Sequence, residues 1–527
     1  MGRLAKAPMS PPPPLIARLL SAIVRPVRLG LWAPVWMGVV LAGCRSWEPP
    51  VPERGEAPDL VVVLLRDLRG DGPGPQGAEA AFLGAVSSLD DGVRFASAYA
   101  QSPRPHASLG AVSTGVYPAG IPLCNPPDLQ TPDAELPWCV SLPAERPTLP
   151  EVLALYGYRT AVLALGSPKL IVRGEGDRLV HPTHGPPEQT WPPAVGAARD
   201  WWTADDGRPR LLIVQAAVES PRLRAIIDEA YKSGALPESE RPAYLATHPV
   251  LAARLKPGVP WPILTAETQA AVQAEYVDTA ARVGTQLETL LTGLSAGPRP
   301  RWTVLTSLHG MLTGLTTGTE SPEQAWAGRS PLLLDRTLRV PLVVAGPGMH
   351  RWTVDHPVEL VDIVPTLTGL AGAVAPAGLS GSDLLAQLDA PEPHAVGYSE
   401  FGDMLSLRYG DHFLRFRSQL HGSTSIDPRL TERLRASIPP DLPGYAPSPG
   451  RPTPLPGQPP HPEFILFDVQ ADPFQVRPLP PEAHPDVFRP MASKLLELRE
   501  GPARPPESLM SFEQVQALRK VGALHYW

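Results

Sequence analysis

The chain contains three cysteines, whose thiols are candidates for chemical modification or metal binding. Cys44 ends an apolar run, whereas Cys124 and Cys139 lie in a proline-rich segment. A thiol can be acylated, bridged or bound to a metal, and a zinc site needs further Cys or His residues at short spacing. No His stands at such a spacing beside these cysteines, so we predict that they form no zinc site.

The segment before Cys44 has the layout of a secretory signal. Residues 1–28 carry five basic residues and no acid, and the apolar run 29–43 is shorter than the ~20 residues that a membrane span needs. Leu41-Ala42-Gly43 directly before Cys44 resembles the lipobox of bacterial lipoproteins. The resemblance implies that Cys44 is lipidated and that the chain is exported and anchored in a bacterial envelope membrane, facing the periplasm or the cell surface. The alternative is an ordinary cleaved signal next to a chance Cys.

Export bears on the two other cysteines. With Cys44 lipidated, an even pair remains in an exported chain, which favours a disulfide between Cys124 and Cys139 closing a short surface loop. Two free, buried thiols are the alternative.

Bulk composition excludes one class of partner. The 527 residues carry a formal net charge of -7 and no long basic block, so we expect no nucleic-acid partner. The apolar fraction of 43% is enough for a sizeable core, and the 70 prolines are well above average usage.

The elements that must position a site follow from the hydrophobic pattern. Residues 60–65 form a continuous apolar run, which is typical of a strand buried on both faces of a parallel sheet. Similar runs occur at 160–165, 211–214, 302–305 and 340–344, and 271–294 has apolar residues at helical spacing. Strands that alternate with helices predict an α/β fold with a large, mostly parallel sheet flanked by helices on both faces.

The same pattern predicts the domain organisation. A signal peptide over 1–44 and a proline-rich tether over 45–58 precede the α/β domain at 59–390. A smaller C-terminal α+β subdomain follows over 391–527. It contains a proline-rich insertion at 438–462, which cannot pack as helix or sheet.

Segments along the whole of this region occur in an order and at a spacing that point to one family. They are 59–69, 91–102, 114–118, 157–161, 306–310, 338–348, 361–367, 398–400 and 467–473. In this order they resemble the sulfatase family of the alkaline-phosphatase superfamily, with metal-binding turns at 59–69 and 306–310 and the approach to the nucleophile at 91–102. The resemblance implies an alkaline-phosphatase-like fold and, in active members, hydrolysis of sulfate esters with a divalent metal, usually calcium.

At the metal positions that the resemblance implies, the residues differ from the family. The family has two adjacent aspartates in the first turn and Asp followed by Asn or His in the second, whereas this chain has Arg66-Asp67 and Leu308-His309. A unit positive charge ~4 Å from a dication repels it by roughly 8 kcal/mol at an effective dielectric of ~20. Asp67 and His309 alone would make a poor site, so we expect no cofactor, or calcium or another divalent metal if the chain is active.

The nucleophile turn is altered as well. The family places a Cys or Ser, converted to formylglycine, at the start of a helix, with Pro two residues and Arg four residues later. Alignment from 91–102 gives Ser102 as the nucleophile and His106 in place of the Arg, whereas alignment from Thr114 puts Pro105 at that position. The first match is longer and favours Ser102, but the conversion motif is missing in both.

Three functions are consistent with these residues. We favour a pseudoenzyme that is tethered by lipid and binds a small anionic or glycan ligand, or a protein partner, in the cleft that holds the active site in the family. The second is a working hydrolase of sulfuric or phosphoric esters that uses Ser102, Asp67 and His309. The third is a purely structural envelope component.

Overall fold

The computed structural model of the chain describes most of the residues between 57 and 500. The described residues are 57–70, 77–118, 146–166, 174, 176–182, 186–204, 206–233, 266–294, 297–313, 327–328, 333–389, 396–401, 404–417, 432, 434–435, 438, 464–473, 475 and 477–500.

Within these residues the main sheet has nine strands. They are β1 (Asp59–Asp67), β2 (Val93–Tyr99), β3 (Arg159–Gly166), β4 (Asp177–Pro182), β5 (Arg210–Ala217), β6 (Arg301–Gly310), β9 (Arg339–Ala345), β10 (Trp352–Val354) and β11 (Val358–Glu359). The order across the sheet is β10-β2-β9-β6-β1-β5-β3-β4, with β11 beside β2. Two further short strands, β7 (Leu312–Thr313) and β8 (Ala327–Gly328), pair with each other.

Strand direction decides where the site can lie. Strand β1 is parallel to β5 and β6, and β3 is parallel to β5 and β4. Strand β9 is antiparallel to both β6 and β2, so β2 runs in the same direction as β1. The carboxyl ends of β1, β2, β5 and β6 therefore meet at one edge, which we name the carboxyl edge. The predicted large and mostly parallel sheet is confirmed.

Helices cover both faces of this sheet, as predicted. The helices of the described residues, of which α10 packs on a second sheet, are α1 (Ala78–Gly84), α2 (Pro105–Thr114), α3 (Leu149–Leu155), α4 (Pro187–Thr203), α5 (Pro221–Ser233), α6 (Ala266–Gly293), α7 (Asp335–Leu338), α8 (Ile363–Leu370), α9 (Ala386–Asp389) and α10 (Pro485–Glu500). On β1, Leu60, Val62 and Leu64 pack with α2 and α8, whereas the alternate residues pack with α4 and α6. Both faces of β1 are thus apolar, which explains its unbroken hydrophobic run.

A second, antiparallel sheet follows in the C-terminal part. Its strands are β12 (Gly397–Phe401), β13 (Met404–Tyr409), β14 (His412–Arg417) and β15 (Phe464–Asp468), in that order. Helix α10 packs on it through Phe488, Met491 and Leu495. The smaller C-terminal α+β part is therefore present, while its exact boundary at 390 stays a prediction.

Several predicted features lie outside the described residues. They include Cys44, Cys124, Cys139 and the proline-rich segment that follows Ile438. Lipidation and the disulfide therefore stay predictions. No helix among the described residues combines the length and the apolar character required to cross a bilayer.

Candidate active site

Two of the predicted site residues lie together at the carboxyl edge. Asp67 is the last residue of β1, His309 is the second-last residue of β6, and these strands are neighbours in the sheet. Oδ1 of Asp67 lies 3.7 Å from Nδ1 of His309, and both side chains are almost fully buried. The topology thus brings together a carboxylate and an imidazole from segments more than two hundred residues apart.

The backbone of the first turn is held in an unusual conformation. Asp67 has a φ of 70°, in the left-handed region that Asp tolerates better than most non-glycine residues. The hydroxyl of Tyr276, on α6, donates to the carbonyl of Asp67 at 2.6 Å and accepts from the amide of Arg69 at 3.1 Å. Such strained conformations concentrate at functional sites, because the surrounding structure must hold them in place.

Ser307 ties the two turns to each other. Its Oγ accepts from the amide of Leu68 at 3.3 Å and donates to the carbonyl of His309 at 2.9 Å. Ser307 thus helps to set the relative position of the two turns, although the side chains at 66 and 308 differ from those of the family.

A buried arginine, Arg69, adjoins the first turn, and no motif in the sequence marks it. Arg69 is 2% exposed and donates to Thr313 Oγ1 at 2.9 Å and to Gln273 Oε1 at 3.3 Å. Its guanidinium also lies 5.6 Å from the ring centroid of Tyr276. Only the proximity of Arg69 to Asp67 in sequence could have indicated this role. Tyr276 and Gln273 belong to a helix whose spacing predicts an apolar face but gives no sign of a polar contact.

Arg66 and Leu308, where the family has carboxylates, lie on the sheet face that α2 covers. Arg66 continues the alternation of Val62 and Leu64, which pack with α2. Arg66 is 8% exposed. Leu308 is fully buried in the same apolar cluster as Leu109 of α2. Both side chains, the cationic one of Arg66 and the apolar one of Leu308, are thus buried in the fold.

These donors do not fit a calcium or magnesium ion. Such ions take six or more hard oxygen ligands, and the charge of their carboxylates sets the affinity. Among the described residues of the two turns, Asp67 supplies the one carboxylate, and the preceding residue, Arg66, supplies a guanidinium in place of a second. Among the described residues, no group of three or more His, Cys, Asp or Glu side chains is placed to hold a metal ion.

The nucleophile turn precedes α2, which packs against β6. Ser102 is fully buried, and its backbone amide and carbonyl both bond to Oγ of Ser108, at 3.2 and 2.8 Å. Its own Oγ accepts from the amide of Arg104 at 3.4 Å. Pro105 is the first residue of the helix and His106, half-buried, the second. Ser102 therefore stands before the helix, with its hydroxyl turned into local backbone contacts.

A buried carboxyl lies behind this turn. Glu359 accepts from the hydroxyl of Tyr117 at 2.5 Å, from the amide of Tyr398 at 2.7 Å and, more weakly, from Gln101 at 3.5 Å. Burial, with the neighbouring Asp362 carboxylate second, raises the pKa of Glu359 to about 8. The group joins the nucleophile turn to strand β12, and no motif in the sequence marks it.

Comparison with known proteins gives local sequence matches to sulfatases. The chain is 32% identical over 96 residues to an ulvan-active sulfatase of Formosa agariphila, and 38% identical over 76 residues to arylsulfatase K of Danio rerio. The two matches cover 18% and 13% of this chain, and 17% and 14% of the relatives. The chain thus matches about a sixth of the length of these curated relatives. No family model matches the chain.

Solved structures match over a much longer span. The phosphonate monoester hydrolase of Agrobacterium radiobacter superposes with a TM-score of 0.56 at 17% identity, covering 84% of this chain and 95% of that one. A 2-O GAG sulfatase gives a TM-score of 0.56 at 16% identity, covering 88% and 96%. At these identities the superpositions show the fold. Together with the local sulfatase matches, they support the assignment of this chain to the sulfatase and alkaline-phosphatase superfamily.

Proposed function

We propose that this chain is a lipid-anchored pseudoenzyme of the bacterial envelope that binds an anionic group at the carboxyl edge without a metal. The observation that carries the proposal is the buried Arg66, in the turn where the family places a metal-binding carboxylate. A guanidinium supplies positive charge and several donors to a sulfate or phosphate group, at about 1.5–3 kcal/mol for each charged hydrogen bond.

The charge distribution of the two turns favours an anion over a cation. Arg66 and Arg69 are three residues apart in the first turn, with Arg69 bonded to Gln273 of α6 on the other side of the sheet, and Asp67 is the single carboxylate among the described residues of the two turns. The formal charge of these residues is positive, which favours an anion beside Arg66 over a dication, which Arg66 would repel. A sulfated or phosphorylated glycan or small molecule fits this pattern.

The nucleophile turn supports weak catalysis at most. A serine hydroxyl needs a neighbouring base or a metal to attack an ester, and charge stabilisation is commonly the largest catalytic contribution. Ser102 is buried, and its Oγ accepts a hydrogen bond from the amide of Arg104. We therefore propose that Ser102 and His106 support the local structure of the turn and do not take part in the transfer of a sulfuryl or phosphoryl group.

Calorimetric titration with inorganic sulfate in the presence of EDTA tests the proposal. We expect binding that EDTA does not change and that Arg66→Gln weakens at least tenfold. Arg351→Gln, an exposed arginine at the opposite edge of the sheet, is the matched control and should bind like the parent. Sulfate binding that requires added calcium, or that Arg66→Gln leaves unchanged, would contradict the proposal.

A second candidate is an active ester hydrolase, and the retained contact between Asp67 and His309 favours it. In that case the parent would hydrolyse p-nitrophenyl sulfate or phosphate when a divalent metal is added. Both Ser102→Ala and Asp67→Ala would then abolish the turnover. The pseudoenzyme proposal instead expects the same background rate for the parent and for both variants.

A further inference from the structure

The edge opposite the candidate site contains the first residues that the structure describes, 57–59. Strands β1 to β6 start at this edge, and it comprises the described residues 57–59, 90–94, 157–159, 176–178, 204, 206–210, 297–302 and 346–353. We name it the amino edge. In the sequence, residues 45–56 connect Cys44 with Ala57, the first described residue of this edge.

The amino edge carries a tryptophan that the fold leaves in solvent. Trp352 is 57% exposed and starts β10, the outermost strand, opposite Val93. Half-buried Met349 and Trp302 lie on the same edge, and Trp302 packs tightly over Gly346. Tryptophan is enriched where a protein meets the headgroup region of a membrane, because its ring is apolar and its N–H is polar.

The charge of this edge differs in sign from that of the whole chain. The edge contains eight arginines and five aspartates and no lysine or glutamate, although the chain carries a net charge of -7. Asp59, Asp177 and Asp206 form ion pairs with arginines of the same edge, and Arg94 pairs with Glu79, which lies outside these ranges. The surplus arginines, among them exposed Arg351 beside Trp352, favour an anionic surface, at about 1 kcal/mol for each residue near it.

The length of the preceding chain limits how far this edge can lie from an anchor. Twelve residues span at most about 40 Å when extended, and a proline-rich segment extends at about 3.1 Å per residue. Among the described residues, those at 57–59 of the amino edge are the nearest to Cys44 in sequence.

We propose that the amino edge rests on the anionic bilayer to which Cys44 is anchored, with Trp352 in the headgroup region. The candidate site at the carboxyl edge then faces away from the membrane, towards the aqueous side. This inference rests on the lipid anchor and is independent of which ligand the site binds.

Photocrosslinking from the bilayer tests this orientation. The full chain is purified from membranes, and the mass of its N-terminal peptide shows whether Cys44 carries lipid. The full chain is then reconstituted into vesicles of phosphatidylglycerol and phosphatidylethanolamine that contain a diazirine phospholipid. The crosslinked peptides are identified by mass spectrometry. The hairpin that contains Tyr409 provides the comparison, because Tyr409 is the other exposed large hydrophobic side chain of the described residues, at 38%.

We expect lipid adducts on the peptide that covers 346–354 at several times the yield on the Tyr409 hairpin. Trp352→Ala should lower the yield at 346–354 severalfold, whereas Tyr409→Ala should leave it unchanged. Equal yields at the two sites, or adducts concentrated at 311–313 of the carboxyl edge, would overturn the proposal. A chain without lipid on Cys44 would overturn it too, and this outcome leaves the sulfate titration of the site unaffected.

Discussion

Reversing the charge at position 66 should convert the first turn into a metal-binding turn. Arg66→Asp restores the pair of adjacent carboxylates with Asp67, next to His309, whose Nδ1 lies 3.7 Å from Asp67 Oδ1. The scaffold around these groups needs no change, because Tyr276 and Ser307 already fix both turns through side-chain contacts with the backbone.

The expected gain follows from the charges. A unit charge 4 to 6 Å from a dication is worth roughly 5 to 8 kcal/mol at an effective dielectric of ~20. Removal of the guanidinium alone therefore lowers the calcium dissociation constant by at most about four to six factors of ten, at about 1.4 kcal/mol for each factor of ten. Since Leu308 still supplies no oxygen, we expect calcium affinity to rise by about three decades, from a dissociation constant above about 10 mM to about 10 µM.

Calorimetry and thermal unfolding measure this gain independently. With calcium at about a thousand times the dissociation constant, the folded state of the variant gains about 4 kcal/mol, whereas the parent should gain almost nothing. Arg351→Asp makes the same charge change at the amino edge and is the control. An equal gain in both variants, or no gain in Arg66→Asp, would refute the electrostatic argument.

Three further outcomes are expected. The free energy of unfolding should fall as the pH rises from about 4.5 towards 8, because unfolded Glu359 loses its proton near its ordinary pKa whereas burial holds the folded pKa at about 8. Chemical denaturation should show this dependence in the parent and a smaller one in Glu359→Gln. Leu308→Asp should lower the free energy of unfolding by roughly 3–5 kcal/mol, because it places a charge in the apolar core, whereas Leu308→Met should cost under about 1.5 kcal/mol in the same assay. Cys44→Ala should move the protein from the membrane fraction to the soluble fraction, and firm membrane association of that variant would disprove lipidation.

The framework of the fold was predictable because its strands are buried on both faces. The run at 60–65 marks β1 since no polar residue is tolerated on either side of a central parallel strand. Strand β10 gave no such signal, because Trp352 and Thr353 are exposed. With three and two residues, β10 and β11 are also too short to display a period.

The site was predictable only in part. The order of motifs placed Asp67 and His309 in adjacent turns, and the contact between them follows from the pairing of β1 with β6. The roles of Ser307, Tyr276 and Arg69 depend on long-range contacts that local sequence does not encode. Burial of Leu308 likewise depends on α2, which packs against β6 from a distant part of the chain.

Elemental analysis of the purified parent protein, with Asp67→Ala as the comparison, tests the central claim most directly. We predict no stoichiometric calcium, magnesium or other divalent ion in either protein, since Arg66 and Leu308 occupy the positions where the family has two carboxylates. One divalent ion per chain in the parent, lost together with ester hydrolysis in Asp67→Ala, would contradict it.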